Sequence, residues 1–174
     1  MRILLSVLIL VVSTLAVLAG QAPANPETQA LLERLFPDAN SFSPKEGSPP
    51  HYKVFGAAEA GGEPELVGFA YWTTEIEPLE RAFDGPIKIF VGMDINLVLQ
   101  GIIVTDHREP YGDFSVDLPE FAVQFNEKSV RDPFRYGRDI DAISRATISV
   151  TSASRAVRNS SRRIARALLA PPAR

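Results

Sequence analysis

The chain contains no cysteine, which excludes disulfides, thiolate metal sites and iron–sulfur clusters at the outset. Histidine is nearly as scarce, with two in 174 residues. His51 and His107, even with Glu109 beside them, have no ligand spacing, so a metal site is not expected. No nucleophile-elbow pattern joins Ser, His and Asp into a hydrolase. Acid is missing from one end only: Ala142 to Arg174 holds seven arginines (Arg145, Arg155, Arg158, Arg162, Arg163, Arg166 and Arg174) and no Asp or Glu. Residues 1–141 carry 11 positive and 21 negative side chains. A basic stripe of this kind suits an anionic lipid surface or nucleic acid, and an ordinary solvated helix face is the plainer reading. An overall pI near 5.4 and the leader described next argue against a nucleic-acid partner.

What is present reads as one globular domain, 45% hydrophobic and 22% charged. Residues 1–24 look like an export signal or an N-terminal membrane anchor: Arg2 precedes an apolar run from Ile3 to Ala19, and Ala22-Pro23-Ala24 offers a cleavage site before Asn25. The run is at the short end of the ~17–25 residues that span a bilayer, so cleavage and retention both remain open. The folded part is expected over 25–174. Neither an internal repeat nor a low-complexity segment is found.

Asn25-Pro26-Glu27 predicts a helix start, with a capping side chain, a proline suited to the first position and an acid for the dipole. Leu31, Leu32, Leu35 and Phe36 share one face of it, and Pro37 closes it. A loop rich in Pro, Gly and Ser follows from Ser43 to Pro50. Strands are expected at Tyr52–Phe55, Leu66–Thr73, Ile87–Met93 and Val98–Thr105, the last two joined by a hairpin at Asp94-Ile95-Asn96. Leu118–Phe125 reads as a short helix and 126–138 as an irregular connection. In a C-terminal helix led into by Thr151 and Ser152, Ala153, Ala156, Val157, Ser160, Ile164, Ala167 and Leu168 recur at three and four. They form a core-facing stripe, with the arginines displayed on the other faces. Together these elements predict an α+β domain, an antiparallel sheet flanked by helices that cover one of its faces.

The segment with most chemistry is Asp141-Ala142-Ile143-Ser144-Arg145-Ala146-Thr147. A hydroxyl that is to carry a phosphoester must be exposed on a turn, with donors near to hold the anion, and a Ser/Thr-rich turn before a helix supplies both. A plain N-cap has the same look, and composition alone favours it. The spacing Asp, two residues, Ser, one residue, Ala, Thr resembles the flavinylation motif of FMN-binding domains. LLERLFPDANSF near residue 31, PIKIFVGMDINLVLQGIIVTDHREPYG from Pro86, and SSRRIAR from Ser160 follow in an order similar to that of the periplasmic flavin domain of NosR/NirI-type regulators. More distantly the motif is similar to that of Rnf and Nqr flavin subunits.

The extended resemblance favours attachment over capping and implies FMN joined through its phosphate to Thr147 Oγ, with Asp141, Ser144, Arg145 and Ala146 around it. The family pattern has Gly where this chain has Arg145. If that position needs positive φ, a side chain there costs on the order of 1 kcal/mol, whereas a guanidinium there is also placed to pair with the phosphate. In the resembling domains the loop after the longest strand lies near the flavin, which makes His107, Glu109 and Tyr111 candidates to contact the ring. A solvated surface loop is the equal alternative.

The resemblance further implies an electron carrier or accessory protein rather than a catalyst, on the periplasmic or outer face of the inner membrane. It would be loaded by a flavin transferase and would work with membrane-associated redox proteins, with contact to the membrane surface a further option. The larger relatives continue into membrane helices and a Cys-rich part, so this chain is expected to be a stand-alone flavin domain. The rival reading is an exported module of the same fold without flavin that binds a regulatory or other partner.

Overall fold

The computed structural model describes residues 24–58, 62–141 and 146–169. Helix α1 (Pro26–Leu35) begins as expected, with the Asn25 side chain accepting from the Thr28 amide at 2.7 Å and Pro26 in the first turn. Five strands follow: β1 (Ser41–Phe42), β2 (Tyr52–Phe55), β3 (Leu66–Trp72), β4 (Lys88–Asp94) and β5 (Leu99–Asp106). They form one antiparallel sheet in the order of the sequence. Four of them stand within a residue or so of their expected bounds. The short β1, for which its two residues give no periodic signal, was not foreseen. A one-turn helix α2 (Thr73–Ile76) leaves β3 directly, α3 (Pro119–Ala122) runs into a 3-10 turn at Val123–Phe125, and α4 (Thr147–Leu169) closes the described chain. Among the described residues, no helix is long and apolar enough to cross a membrane. Of the segment 1–24, where an export signal or anchor is expected, residues 1–23 lie outside them.

Alternation along the strands decides the layers. Tyr71, Ile89, Val91, Met93 and Ile102 face a core completed by Val150, Ala153, Val157 and Ile164 of α4 and by Phe121, Phe125 and Phe134. Their neighbours Ala70, Trp72, Phe90 and Ile103 point the opposite way, onto Leu32 and Phe36 of α1. The helices therefore cover both faces of the sheet, not one. Sequence periodicity shows that α1 is amphipathic without showing which side of the sheet receives it. Gly92 of β4 makes the second layer possible, since a Cβ there would lie 2.9 Å from the Phe36 ring. The α+β arrangement itself, an antiparallel sheet with flanking helices, is as expected.

Helix α4 departs from its sequence reading in three ways. It starts at Thr147, so Thr151 and Ser152 lie one turn inside rather than leading in. Its buried stripe includes Ser161 and Ala165, while Ala167 is exposed. The arginines are not simply displayed: Arg162 donates from Nε to Val130 O and from Nη2 to Asp132 O, both at 2.9 Å. Arg163 Nη1 donates to Ile76 O at 2.5 Å and to Glu77 at 3.1 Å. These guanidinium groups satisfy carbonyls of the irregular 126–138 segment and of the end of α2, which have no sheet or helix partner of their own. A further tie crosses the core, where the Tyr71 hydroxyl donates to Ser161 Oγ at 2.7 Å. Burial pushes the Tyr71 phenol far above its ordinary range, against a smaller opposing effect of Ser161.

Candidate functional site

The loop that leaves β5 is organised around two side chains. His107 Nδ1 accepts from the Glu109 amide at 3.1 Å, which leaves Nε2 to carry the hydrogen shared with Asp117 Oδ2 at 2.8 Å. The imidazole lies over Gly112, where a Cβ would come within 1.8 Å of His107 Cε1. Glycine is thus required for this loop to fold back on itself.

Glu109 is 6% exposed and points inward. Its carboxylate accepts from the backbone amides of Phe83 at 3.2 Å and Asp84 at 2.9 Å, and from the Ser149 hydroxyl in a short contact. One acceptor-only group therefore ties together three distant pieces of chain: the 83–84 connection, the post-β5 loop and the first turn of α4.

A cavity of about 330 Å³ opens above this tie, lined by Phe83, Pro110, Tyr111, Ala146, Thr147, Ile148 and Ser149. Phe83 is 69%, Tyr111 57% and Ile148 58% exposed. Three large apolar side chains converging on one concave surface, rather than scattered, are what a ligand-binding wall looks like. Thr147 stands at its rim, exposed, as the first residue of α4. The first intrahelical bond runs from the Val150 amide to Ala146 O at 3.0 Å, and alanine at that position has no side-chain acceptor for the amides of Thr147, Ile148 and Ser149. A smaller groove of about 210 Å³ is lined by Arg81, Thr147, Ile148, Thr151, Ser152 and Arg155. Thr147 and Ile148 thus line both depressions, one walled by Phe83, Pro110 and Tyr111 and the other by Arg81 and Arg155.

Residues 83–162 match the family model of the FMN-binding domain. Every residue that lines the apolar cavity falls inside that segment. That segment is similar to an FMN-binding domain. No curated protein matches the sequence. The residues present fit the cofactor: FMN has a flat ring with apolar faces and an anionic phosphate, and the fold sets aromatic and aliphatic walls beside the first amides of α4, Arg81 and Arg155.

The fold brings only part of the expected site together. Tyr111, Ala146 and Thr147 line the cavity. Glu109 lies beneath it as a tie rather than in its wall, and His107 is engaged with Asp117 and Gly112, outside the lining. Asp141 is exposed and its backbone pairs with the Gln124 side chain, the amide donating at 2.6 Å. Ser144 and Arg145 lie outside the described residues. Among the described residues no cluster of three His, Asp or Glu is placed to hold a metal. Phe83, Ile148, Arg81 and Arg155 were missed by sequence reasoning. Only Ile148 gave a local sign, an apolar residue on the exposed side of a helix start; the others acquire meaning when the 81–84 connection folds against α4.

Proposed function

We propose that the chain is an exported electron-transfer protein whose FMN is held as a phosphoester of Thr147, installed by a separate flavin transferase. It works on the outer side of the inner membrane with membrane-associated redox proteins. The observation that carries this reading is the position of Thr147, an exposed residue at a helix start that lines both an apolar cavity and an arginine-lined groove. Attachment replaces the Oγ–H bond of Thr147 with an Oγ–P bond; a base of the transferase takes the proton, and the rest of the activated flavin donor departs. Arg81, Arg155 and the first amides of α4 then hold an anion whose own attachment oxygen has no hydrogen left to donate. Phe83, Pro110, Tyr111 and Ile148 exclude water from the faces of the ring, while Glu109 and Ser149 keep those walls in register. FMN, when bound, supplies one- and two-electron redox chemistry that the side chains themselves lack.

Intact mass after co-expression with an active flavin transferase tests the proposal. The expected species is heavier by one FMN less one water, and shorter at the N-terminus if the leader is removed. Thr147→Ala is expected to abolish in-gel flavin fluorescence, whereas Thr151→Ala keeps it. Wild-type protein that stays unmodified, and colourless with added FMN, would sink the reading and leave the flavin-less partner-binding module in its place.

A further inference from the structure

Beyond the groove at Thr147, a separate cleft of about 360 Å³ is lined by Phe134, Arg135, Tyr136, Thr151, Arg155 and Arg158. The two depressions share Thr151 and Arg155. Thr147 and Arg158 are eleven residues apart on one helix, about 16 Å at ~1.5 Å per residue. A phosphate bonded to Thr147 Oγ therefore cannot also be held at the far end of the cleft.

The charge there is poorly compensated. Arg155 pairs with Glu80 at 3.3 Å. Among the described residues neither Arg135 nor Arg158 makes an ion pair, and Arg158 Nε donates only to the neutral Asn159 Oδ1 at 3.2 Å. Partial burial, then the guanidinium groups of Arg162, Arg155 and Arg135, hold Arg158 below its ordinary range, against a smaller opposite effect of Glu80. Like charges gathered in a concavity cost free energy that an incoming anion relieves. The carbonyls that occupy Arg162 explain why that residue stays put. Among the described residues, no carbonyl engages the side chains of Arg135 and Arg158 in this way. Beside them Tyr136 is 45% exposed and Thr151 adds a hydroxyl.

We propose that this cleft is a second anion site, independent of the flavin, that takes an anionic phosphate group on Arg135 and Arg158. Arg155 and Thr151 form its near wall. Two sources present that chemistry, a soluble phosphate compound and an anionic lipid headgroup.

The test uses the full-length protein as purified, in wild-type and Thr147→Ala forms, so that flavin loading and this site are read separately. Inorganic pyrophosphate is titrated by calorimetry, and sedimentation is run with phosphatidylglycerol vesicles and with phosphatidylcholine vesicles. Saturable one-site binding is expected in both forms, weakened about tenfold or more by Arg135→Gln and by Arg158→Gln as charge-assisted hydrogen bonds are lost. Arg166→Gln removes the same charge from an exposed guanidinium that, among the described residues, bonds only the Arg162 carbonyl of its own helix, and should change affinity less than about twofold. Pyrophosphate binding with this pattern assigns a soluble ligand; binding to phosphatidylglycerol alone with the same pattern assigns a headgroup. Circular dichroism melts confirm that each variant folds, and Arg135→Lys and Arg158→Lys restore charge without the fork and should recover part of the affinity. No binding to either probe, or equal losses from Arg166→Gln and Arg158→Gln, overturns the proposal and makes the cleft an ordinary basic face.

Discussion

Replacing Glu109 is the sharpest probe of how the apolar cavity beside Thr147 is built. Glu109→Ala removes the acceptor of the Ser149 hydroxyl and of the Phe83 and Asp84 amides in a place only 6% exposed. An unsatisfied buried donor costs about 1–3 kcal/mol, but water from the adjoining cavity will reach some of these groups and the three are not additive. The expected loss is about 2–4 kcal/mol, which for a chain of this length lowers the melting temperature by roughly 5–15 °C. Glu109→Gln keeps the shape and one acceptor oxygen while turning an NH₂ group toward a backbone amide, so about 1–2 kcal/mol is expected. Thermal and urea melts followed by circular dichroism measure both. The same variants report on function: flavin occupancy after co-expression with transferase should fall with Glu109→Ala even below its melting temperature, because Phe83 and Ile148 lose their common anchor. A stability change within about 0.5 kcal/mol for Glu109→Ala, with full flavin loading, would refute the tie and return Glu109 to a surface role.

Two further outcomes are expected. Ile164 is fully buried against the sheet, so Ile164→Asp should cost several kcal/mol, and Arg162→Gln about 1–3 kcal/mol through its two lost carbonyl bonds; urea melts in which Arg162→Gln is silent would restore the displayed-arginine reading. Burial raises the Asp139 pKa, but the Arg135 amide, the Lys128 ammonium and the Phe134 amide outweigh it and hold the carboxyl below its ordinary value. A depressed folded value means its stabilisation is full above the unfolded pKa of about 4 and fades as pH falls through the folded one. The stability gap between wild type and Asp139→Asn should therefore close in acid, and a gap that widens below about pH 4 would contradict this sign.

Local chemistry in the chain settled more of the molecule than its modest motifs promised. Alternation placed β2 to β5, Asn25 and Pro26 placed the start of α1, and a three-four repeat placed the core side of α4, because each depends on residues within one or two turns or one strand. The Asp141–Thr147 segment pointed to Thr147 and the loop after the longest strand to Tyr111, and both line the apolar cavity. Tertiary packing decided the rest. It set α1 and α4 on opposite faces of the sheet, a choice that amphipathicity leaves degenerate. It turned Arg162 and Arg163 from surface charges into donors for carbonyls that lie 30 residues or more away in the chain. It also took Glu109 out of the expected ring contacts and made it the tie beneath them. The cavity has no sequence signature for the same reason: Phe83, Tyr111 and Ile148 are exposed apolar residues in three separate segments, and tertiary bonds such as those through Glu109 bring them to one place.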